Sequence, residues 1–150
     1  MADLIKNKKA GLDYFFLDYY EAGVELLGTE VKSIKNHQGS LLGSRVVIRG
    51  GEAYLLGANI PPFQPANAPL DYDPERTRRL LLTEKQLGTL VGLEAKPGLT
   101  LIPISLHNKG KLIKLKFAVA KGKKKVDKRE DLKKREAKRE IERSLKNKYR

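Results

Sequence analysis

The stretch that decides the fold is TLIPISLHNKGKLIKLKFAV, residues 100–119. Its first half alternates, with Ile102, Ile104 and Leu106 on one side, and this period of two predicts a half-buried strand. Pro103 has no N–H group to donate to a neighbouring strand, so it favours a position at the edge of a sheet. We therefore expect an edge strand here, followed by a turn.

The second half of this stretch predicts the partner strand of a hairpin. Residues 108–110 read Asn-Lys-Gly and turn the chain, and the return strand covers residues 111–119. Its apolar side chains alternate inward, which leaves Lys114 and Lys116 on the outer face, about 6.8 Å apart along the strand. Two lysines at that spacing suit two neighbouring phosphates.

Three further strands are predicted upstream. Residues 14–20 are aromatic and favour a strand, and residues 44–49 and 52–60 flank the glycine pair at 50–51, which predicts a tight hairpin turn. Alternate aromatic side chains of the first strand are expected on one face: Tyr14, Phe16 and Tyr20. The proline-rich residues 61–79 read as a long loop.

Two helices complete the pattern. Residues 29–35 predict a short helix with two lysines outward, and a capping box opens a second helix at Thr83, with Gly92 as its expected stop. The order is then three strands, a helix and two strands. This order predicts a mainly β fold, a small antiparallel OB-type barrel with two or three short helices and a basic C-terminal tail.

Positive charge is concentrated at the C-terminus. The chain of 150 residues has a formal net charge of +13, of which residues 121–150 supply +9, from 15 Lys plus Arg and 6 Asp plus Glu. We expect a domain at 1–120 and a basic tail at 121–150. Such a charge points to a polyanionic partner, either nucleic acid or an anionic membrane surface.

The composition also excludes several classes of protein and of functional site. The absence of Cys excludes a disulfide scaffold, a Cys-ligated zinc site and a thiol nucleophile, and it fits the cytoplasm. The sequence contains no run of 18 apolar residues, so we expect no membrane-spanning helix, and we expect no signal peptide. Walker, H-E-x-x-H and G-x-S-x-G motifs are missing, and His37 and His107 have no ligand-like spacing. We expect a binding protein without metal or cofactor rather than an enzyme.

The tail is rich in good helix formers but too highly charged to compact by itself. Its apolar stripe is thin, consisting of Ala137, Ile141, Leu145 and Tyr149. We therefore expect disorder in the free protein and a helix once the charge is neutralised. A solvated tail without a specific partner is the open alternative.

Five stretches, in order and at matching spacing, resemble the small protein B family, the SsrA-binding proteins of bacterial trans-translation. They are residues 7–10 (NKKA), 20–23 (YEAG), 28–33 (GTEVKS), 73–82 (DPERTRRLLL) and 120–129 (AKGKKKVDKR). Each stretch alone is weak, but together they are specific, and the similarity runs from about Asn7 to Lys138. The chain departs from the family at Glu75, where Thr or Arg is usual, and at Phe63 and His107, where Tyr is common.

The resemblance implies a partner and a mechanism. The partner is transfer-messenger RNA (tmRNA), and the family binds its tRNA-like domain near the D-loop elbow, in place of the missing anticodon arm. The complex then enters the A site of a stalled ribosome, and the nascent chain is tagged for proteolysis. The tail is implied to become helical in the mRNA channel, next to small-subunit rRNA and the decoding centre. We expect a monomer.

Site residues follow from the matched motifs and from the basic clusters. The expected tmRNA contacts on the barrel are Lys9, Glu21, Lys32, Lys35, Arg76, Arg78, Leu81, Lys114 and Lys116. The expected ribosome contacts in the tail are Lys121, Gly122, Lys123, Lys124, Asp127, Lys128 and Arg129, with Gly122 as a hinge.

By the resemblance, the carboxylate of Glu21 accepts from a base edge or a 2′-hydroxyl, Leu81 receives an unstacked base, and Lys114 meets phosphate. The structural alternatives are an Arg partner for Glu21, a core position for Leu81 and a solvated Lys114. A general single-strand or ribosomal RNA-binding OB protein is the second functional hypothesis, and it would need exposed aromatic platforms.

Overall fold

The computed structural model describes residues 3–64, 66 and 69–148, with side chains described through residue 145. Within these residues the chain forms seven strands and four helices. The strands are β1 (Asp3–Lys6), β2 (Tyr14–Val24), β3 (Arg45–Arg49), β4 (Glu52–Leu56), β5 (Arg78–Leu81), β6 (Leu99–Lys109) and β7 (Leu112–Gly122). The helices are α1 (Ala10–Asp13), α2 (Gly28–Lys35), α3 (Glu84–Glu94) and α4 (Lys125–Lys148). The described helices include none that is both long and apolar enough to cross a membrane.

The strands form one antiparallel sheet that closes on itself. Its order is β1-β6-β3-β4-β5-β2-β7, and β7 also pairs with β6, so six strands make a ring. β1 and β3 share one edge of β6, at Ser105–His107 and at Leu101 respectively. The core inside the ring is aliphatic around Phe117, and it is completed by Ile34 from α2 and Leu90 from α3.

The decisive hairpin is confirmed, but the edge position of its first strand is wrong. β6 pairs along its length with β7, and its other edge pairs with β1 and β3. Pro103 is tolerated because the register shifts between Pro103 and Ser105, a bulge that leaves Ile104 unpaired. The bulge also separates the predicted apolar row: Leu106 enters the main core, whereas Ile102 packs in a second cluster with Ala10.

A second bulge divides the aromatic strand. β2 pairs with β7 through Phe16 and Asp18 but leaves out Leu17, so the sides exchange at that point. Tyr14 and Phe16 pack on the second cluster, and Tyr20 stacks on Phe117 of the main core at 5.7 Å between centroids. The prediction that the three aromatic side chains share one face is therefore wrong.

Two strands were missed by the predicted order. β5 begins at Arg78, inside the stretch read as loop, because its inward side chain is an arginine and the apolar alternation is hidden. β1 is only four residues long and gives too short a pattern. The stop of α3 also differs: the helix passes Gly92 and ends at Glu94, because Lys96 precedes Pro97 and is biased away from helical backbone.

One seam of the ring is held partly by a helix. β3 and β6 pair at a single residue pair, Val46 with Leu101. Next to it the Ile48 N–H donates 2.7 Å to the carboxylate of Glu94, which also accepts from Arg49 at 2.7 Å. The last turn of α3 therefore supplies an acceptor that a strand would otherwise provide.

The tail is a helix that leaves the barrel after β7. α4 begins at Lys125, and every side chain from Leu132 to Leu145 is exposed, so its apolar stripe is not buried. Tyr149 lies outside the described residues. Gly122 is the last residue of β7, opposite Tyr14, and its φ is not positive, so nothing there requires glycine. The expected disorder of the free tail stays a prediction.

Candidate nucleic-acid interface

An open groove of about 640 Å³ lies on the outer face of the barrel, between β2, β5, β7 and the start of α3. We call it the outer groove. Three residues that the resemblance selected, from three separate strands, line it together: Glu21, Leu81 and Lys114. They meet because Gly23 on β2 pairs with both Leu81 and Lys114. The fold thus brings one carboxylate, one apolar surface and one ammonium group to a single cleft.

Glu21 sits among two lysines and a histidine. Its Oε1 lies 3.3 Å from Lys109 Nζ and 3.9 Å from Lys114 Nζ, and its Oε2 lies 3.6 Å from His107 Nε2. Burial raises the pKa of the Glu21 carboxyl, but Lys109, His107 and Lys114 outweigh that effect and leave the pKa below its ordinary value. The side chain is an ionised acceptor at neutral pH. Its partners are lysines and a histidine, not the arginine that the structural alternative assumed.

Leu81 is a surface residue. It is 49% exposed, so the alternative of a core position is wrong. Its side chain lies beside Gly23, where an added Cβ would sit 3.5 Å from Leu81 atoms, an ordinary contact distance. Leu81 therefore offers an exposed apolar surface between Glu21 and α3, which suits contact with an unstacked base.

Lys114 and Lys116 both point outward, as predicted. Lys114 turns toward Glu21, whereas Lys116 Nζ lies 4.9 Å from the ring centroid of Tyr19. Tyr19 is 53% exposed, so the lysine and the ring form one cationic and aromatic surface beside the groove. This surface continues along β2 from the outer groove.

The position of Arg78 contradicts its predicted contact with RNA. Its side chain is fully buried, and its guanidinium donates to the buried carboxylate of Glu30 at 2.6 Å and 2.9 Å and to the carbonyl oxygens of Ala58 and Pro74. An RNA contact is excluded for this side chain in this conformation. The signal that placed it among RNA contacts was a basic cluster, and sequence alone does not show which arginine points inward.

Arg76 shares the same carboxylate but is partly open to solvent. It pairs with Glu30, and its side chain is 30% exposed. Burial raises the pKa of Glu30, but the hydrogen bonds from Arg76, the Leu27 N–H and Arg78 lower it below its ordinary value. Together with the Tyr72 hydroxyl, 3.0 Å from Glu30, these groups fasten the segment before β5 to α2.

The remaining predicted barrel lysines lie elsewhere. Lys32 and Lys35 are exposed on α2, and Lys9 is exposed at the start of α1, beside a separate cavity of about 230 Å³ that also contacts Arg45. None of the three lines the outer groove. The structure does not join them to Glu21, Leu81 and Lys114.

The base of the tail is fastened to the barrel by two lysines. Lys123 donates to the Gly11 carbonyl oxygen at 2.9 Å, pairs with Asp131 and lies 4.8 Å from the Phe15 ring centroid, and its side chain is only 7% exposed. Lys128 pairs with Asp13 at 3.2 Å. We call these contacts the tail anchor. The structure contradicts the predicted rRNA contact by Lys123 in this conformation, because its ammonium group already contacts Gly11, Asp131 and Phe15 of the protein itself.

The other predicted tail residues stay accessible to different degrees. Lys121, Gly122, Lys124 and Arg129 are exposed. Asp127 accepts from the Lys124 N–H at 3.4 Å and so caps the first turn of α4. Exposed cations therefore flank the first turn of the tail helix, next to its fixed base.

Sequence reasoning missed one residue that lines the outer groove and two that contact Glu21 beside it. Lys109 falls in the predicted turn and His107 in the stretch just before it, yet both reach Glu21. Arg79 lines the groove while paired with Glu52 at 2.8 Å and Glu25 at 3.2 Å. The register of β6 with β7, His107 opposite Lys114, is the signal that could have found the histidine. Across the described residues, no cluster of His, Asp and Glu fit for a metal ion is present.

Comparison with known proteins places these features in a family. A family model described as SmpB protein matches residues 4–147. The SsrA-binding protein of Thermosipho melanesiensis is 49% identical over 149 residues, covering 97% of this chain and 99% of that protein. That of Clostridium acetobutylicum is 46% identical over 144 residues, covering 96% and 92%. A solved chain described as "tmRNA-SmpB: a journey to the center of the bacterial ribosome" superposes with a TM-score of 0.68, 35% identity and coverage of 85% and 92%.

Proposed function

Since the chain belongs to the SmpB family of SsrA-binding proteins, it is a tmRNA-binding protein of trans-translation, and we propose that it recognises the tRNA-like domain of tmRNA through the outer groove. The observation that carries this proposal is the convergence of Glu21, Leu81 and Lys114 from three strands on one cleft. We further propose that the ring of strands is an OB-type barrel, and that this barrel takes the place of the anticodon arm that tmRNA lacks.

Each group in the groove has a distinct part in recognition. Leu81 offers its exposed surface to a base that is turned out of an RNA loop. The ionised Glu21 accepts a hydrogen bond from a base edge or a 2′-hydroxyl, which phosphate cannot supply. Lys109 and Lys114 hold Glu21 in place and meet the backbone on either side. The combination favours a folded RNA over a bare strand, because base and backbone must arrive together.

The tail serves the second partner, the ribosome. We propose that Lys121, Lys124, Lys128 and Arg129 meet small-subunit rRNA near the decoding centre, and that α4 follows the mRNA channel. Exposed cations along a helix of 24 residues support this, since such a helix is about 36 Å long. Gly122 and Asp127 would act through the backbone and the helix cap. The protein is expected to act as a cytoplasmic monomer without enzymatic activity.

Competition binding tests the proposal. Fluorescence anisotropy would follow a labelled tRNA-like domain of tmRNA, with ordinary tRNA and single-stranded RNA of equal length as competitors at two salt concentrations. The proposal expects at least a tenfold preference that survives the higher salt. Glu21→Gln and Leu81→Ala should each lower this preference, whereas Leu42→Ala, at an exposed leucine outside the groove, should not.

The opposite result favours the second hypothesis. Equal binding to all three RNAs, collapsing as salt rises, would indicate a general single-strand binder. The observation that supports that reading is the exposure of Phe15 and Tyr19, at 45% and 53%, on the aromatic strand. A Tyr19→Ala variant would then lose affinity for every RNA alike.

A further inference from the structure

A small apolar pocket of about 180 Å³ opens at the start of β7, next to the outer groove. Two exposed leucines line it, Leu81 at 49% and Leu112 at 63% exposure, and we call it the leucine pocket. Leu81 also lines the outer groove, so the two spaces share one side chain. Leu112 does not line the groove, and the function proposed above gives it no part.

The pairing of the strands explains why a pocket forms at this place. β2 pairs with β7 as far as Gly23 and Lys114, and β2 then continues with Val24, which pairs with Leu80 of β5. β7 begins at Leu112, two residues before Lys114, so its first residues lie beyond the last pair with β2. The floor of the space consists of partly buried side chains that pack on the main core: Val24, Leu26 and Val31.

The lining determines what kind of group fits. Of the described residues that line the leucine pocket, Lys111 alone has a polar side chain, and it is exposed. The other side chains offer van der Waals contact and no hydrogen bond, so an occupant must present an apolar face. The volume lies below the roughly 300–1,000 Å³ of pockets for whole small molecules, which suits a single flat ring.

Three lysines of the β6–β7 hairpin bring positive charge to this apolar space. Lys111 lines the pocket, Lys109 is the register partner of Leu112, and Lys114 lines the adjoining outer groove. A flat ring attached to a negatively charged backbone meets both requirements, and a nucleotide of RNA has this chemistry. An apolar amino-acid side chain would fill the pocket but leave the three ammonium groups without a counterpart.

We propose that the leucine pocket receives a nucleobase turned out of the tRNA-like domain, with Leu112 as a second wall across β2 from Leu81. This inference rests on the proposed function of the outer groove and names the place where the base is held. The base is recognised by its flat face and not by its edge, so the pocket accepts every base. Lys111 and Lys114 meet the phosphates on the two sides of that base.

Two substitutions at Leu112 test the wall, and both spare the main core, because Leu112 is exposed and lies outside the core cluster. Leu112→Ala should lower the affinity for the tRNA-like domain about fivefold, the lower end of what one stacked base contributes. Leu112→Phe should retain or exceed wild-type affinity, because an aromatic ring stacks on a base. Leu42→Ala is the matched control, since it truncates a leucine of similar exposure, 59%, outside both spaces. Wild-type affinity in Leu112→Ala would overturn the inference.

Abasic RNA tests the identity of the occupant. The tRNA-like domain would carry one abasic nucleotide at each unpaired position of its D-loop in turn, and anisotropy would measure its affinity for the full chain. One position should weaken binding to wild type about fivefold. That loss should largely disappear in Leu112→Ala, because the base and the leucine form one contact and their effects are not additive. Exchange for another base at that position should have little effect. Equal losses in the two proteins at every position would overturn the inference.

Failure of the inference can be told apart from failure of the proposed function. If wild type shows no preference for the tRNA-like domain, the proposed function fails and the inference fails with it. If the preference stands and is lowered by Glu21→Gln and Leu81→Ala, while Leu112→Ala binds as wild type does, only the inference fails.

Discussion

The barrel and the tail carry positive charge in opposite ways. On the barrel, arginines are held by acids: Arg78 and Arg76 by Glu30, Arg79 by Glu52 and Arg49 by Glu94. On the tail, every described side chain from Leu132 onward is exposed, and the ion pairs that α4 forms among the described residues involve only its first two turns. The first arrangement fixes shape, and the second leaves charge free for a polyanion.

By the proposed function, this difference divides RNA recognition between the two regions. In that proposal, a fixed carboxylate and an apolar surface in a rigid barrel recognise a folded RNA, because their positions do not adapt to an arbitrary strand. Free cations on a helix gain affinity through the release of counterions, which is strong at low salt and insensitive to sequence. Five experiments break or sharpen this contrast, from the largest expected effect to the smallest.

Removing the tail should separate the two functions completely. A chain truncated after Lys124 keeps β7 and the whole barrel core, because the main core cluster contains no residue of α4. Binding to the tRNA-like domain should change by less than about threefold, whereas tagging in a reconstituted translation reaction should be abolished. Loss of most of the tmRNA affinity at moderate salt would show that the tail, not the groove, carries the binding.

Breaking the buried pair should affect stability rather than recognition. Arg78→Leu leaves the carboxylate of Glu30 buried with fewer partners, and removal of one member of such a pair typically costs about 3–5 kcal/mol. Urea unfolding followed by circular dichroism measures it. Arg79→Leu is the matched control, since it changes the next residue of the same strand at an exposed site. A loss of similar size in both variants would contradict the distinction between buried and surface arginines.

The same carboxylate gives the barrel an acid-sensitive stability. The pKa of Glu30 is lowered in the folded state, so its contribution is present above the unfolded value of about 4.3 and is lost as pH falls through the folded value. Wild type should therefore lose more stability than Glu30→Gln between pH 6 and pH 3 in urea melts. An identical loss in the two proteins would assign the acid sensitivity to other carboxylates.

Removing one groove cation should give a modest, salt-dependent effect. Lys114→Ala should weaken binding to the tRNA-like domain and lower the salt slope by about one. Lys96→Ala, at an exposed lysine after α3, should leave the slope unchanged. An unchanged slope in Lys114→Ala would mean that the lysine serves only to hold Glu21.

Loosening the tail anchor should change the orientation of the tail helix and not the affinity of the protein for RNA. Asp13→Asn removes the partner of Lys128, so the tail helix should sample a wider range of orientations. Since the chain has no cysteine, two spin labels at Lys85→Cys and Glu140→Cys report the distance between α3 and the tail. Asp13→Asn should broaden that distance distribution, and Asp71→Asn, at an exposed loop acid, should not. Equal distributions would mean that Lys123 alone fixes the tail.

Sequence reasoning found what depends on regular spacing and on matched motifs. The hairpin of β6 and β7, the capping box of α3 and the helix α2 follow from local patterns, and Glu21, Leu81 and Lys114 were selected by resemblance. The bulges at Leu17 and at Ile104 were out of reach, because a single unpaired residue exchanges the two faces without leaving a compositional trace.

Burial of charge was equally hidden. Arg78 and Arg79 are neighbours of the same residue type, but Arg78 turns inward to the buried Glu30 and Arg79 turns outward to Glu52. The partners of Glu21 also come from tertiary register, because His107 reaches it only through the pairing of β6 with β7 and of β7 with β2. Long-range pairing, not local preference, decides these side chains.

The weakly paired seam between β3 and β6 has a consequence for the local opening of the barrel. Because one residue pair and the Glu94 carboxylate hold it, amide protons of β3 should exchange with solvent by a local opening that leaves β2 and β7 closed. The outer groove lies between β2, β5, β7 and the start of α3, and no residue of β3 or β6 lines it. The molecule can therefore fluctuate on one side while the side proposed to bind RNA keeps its shape.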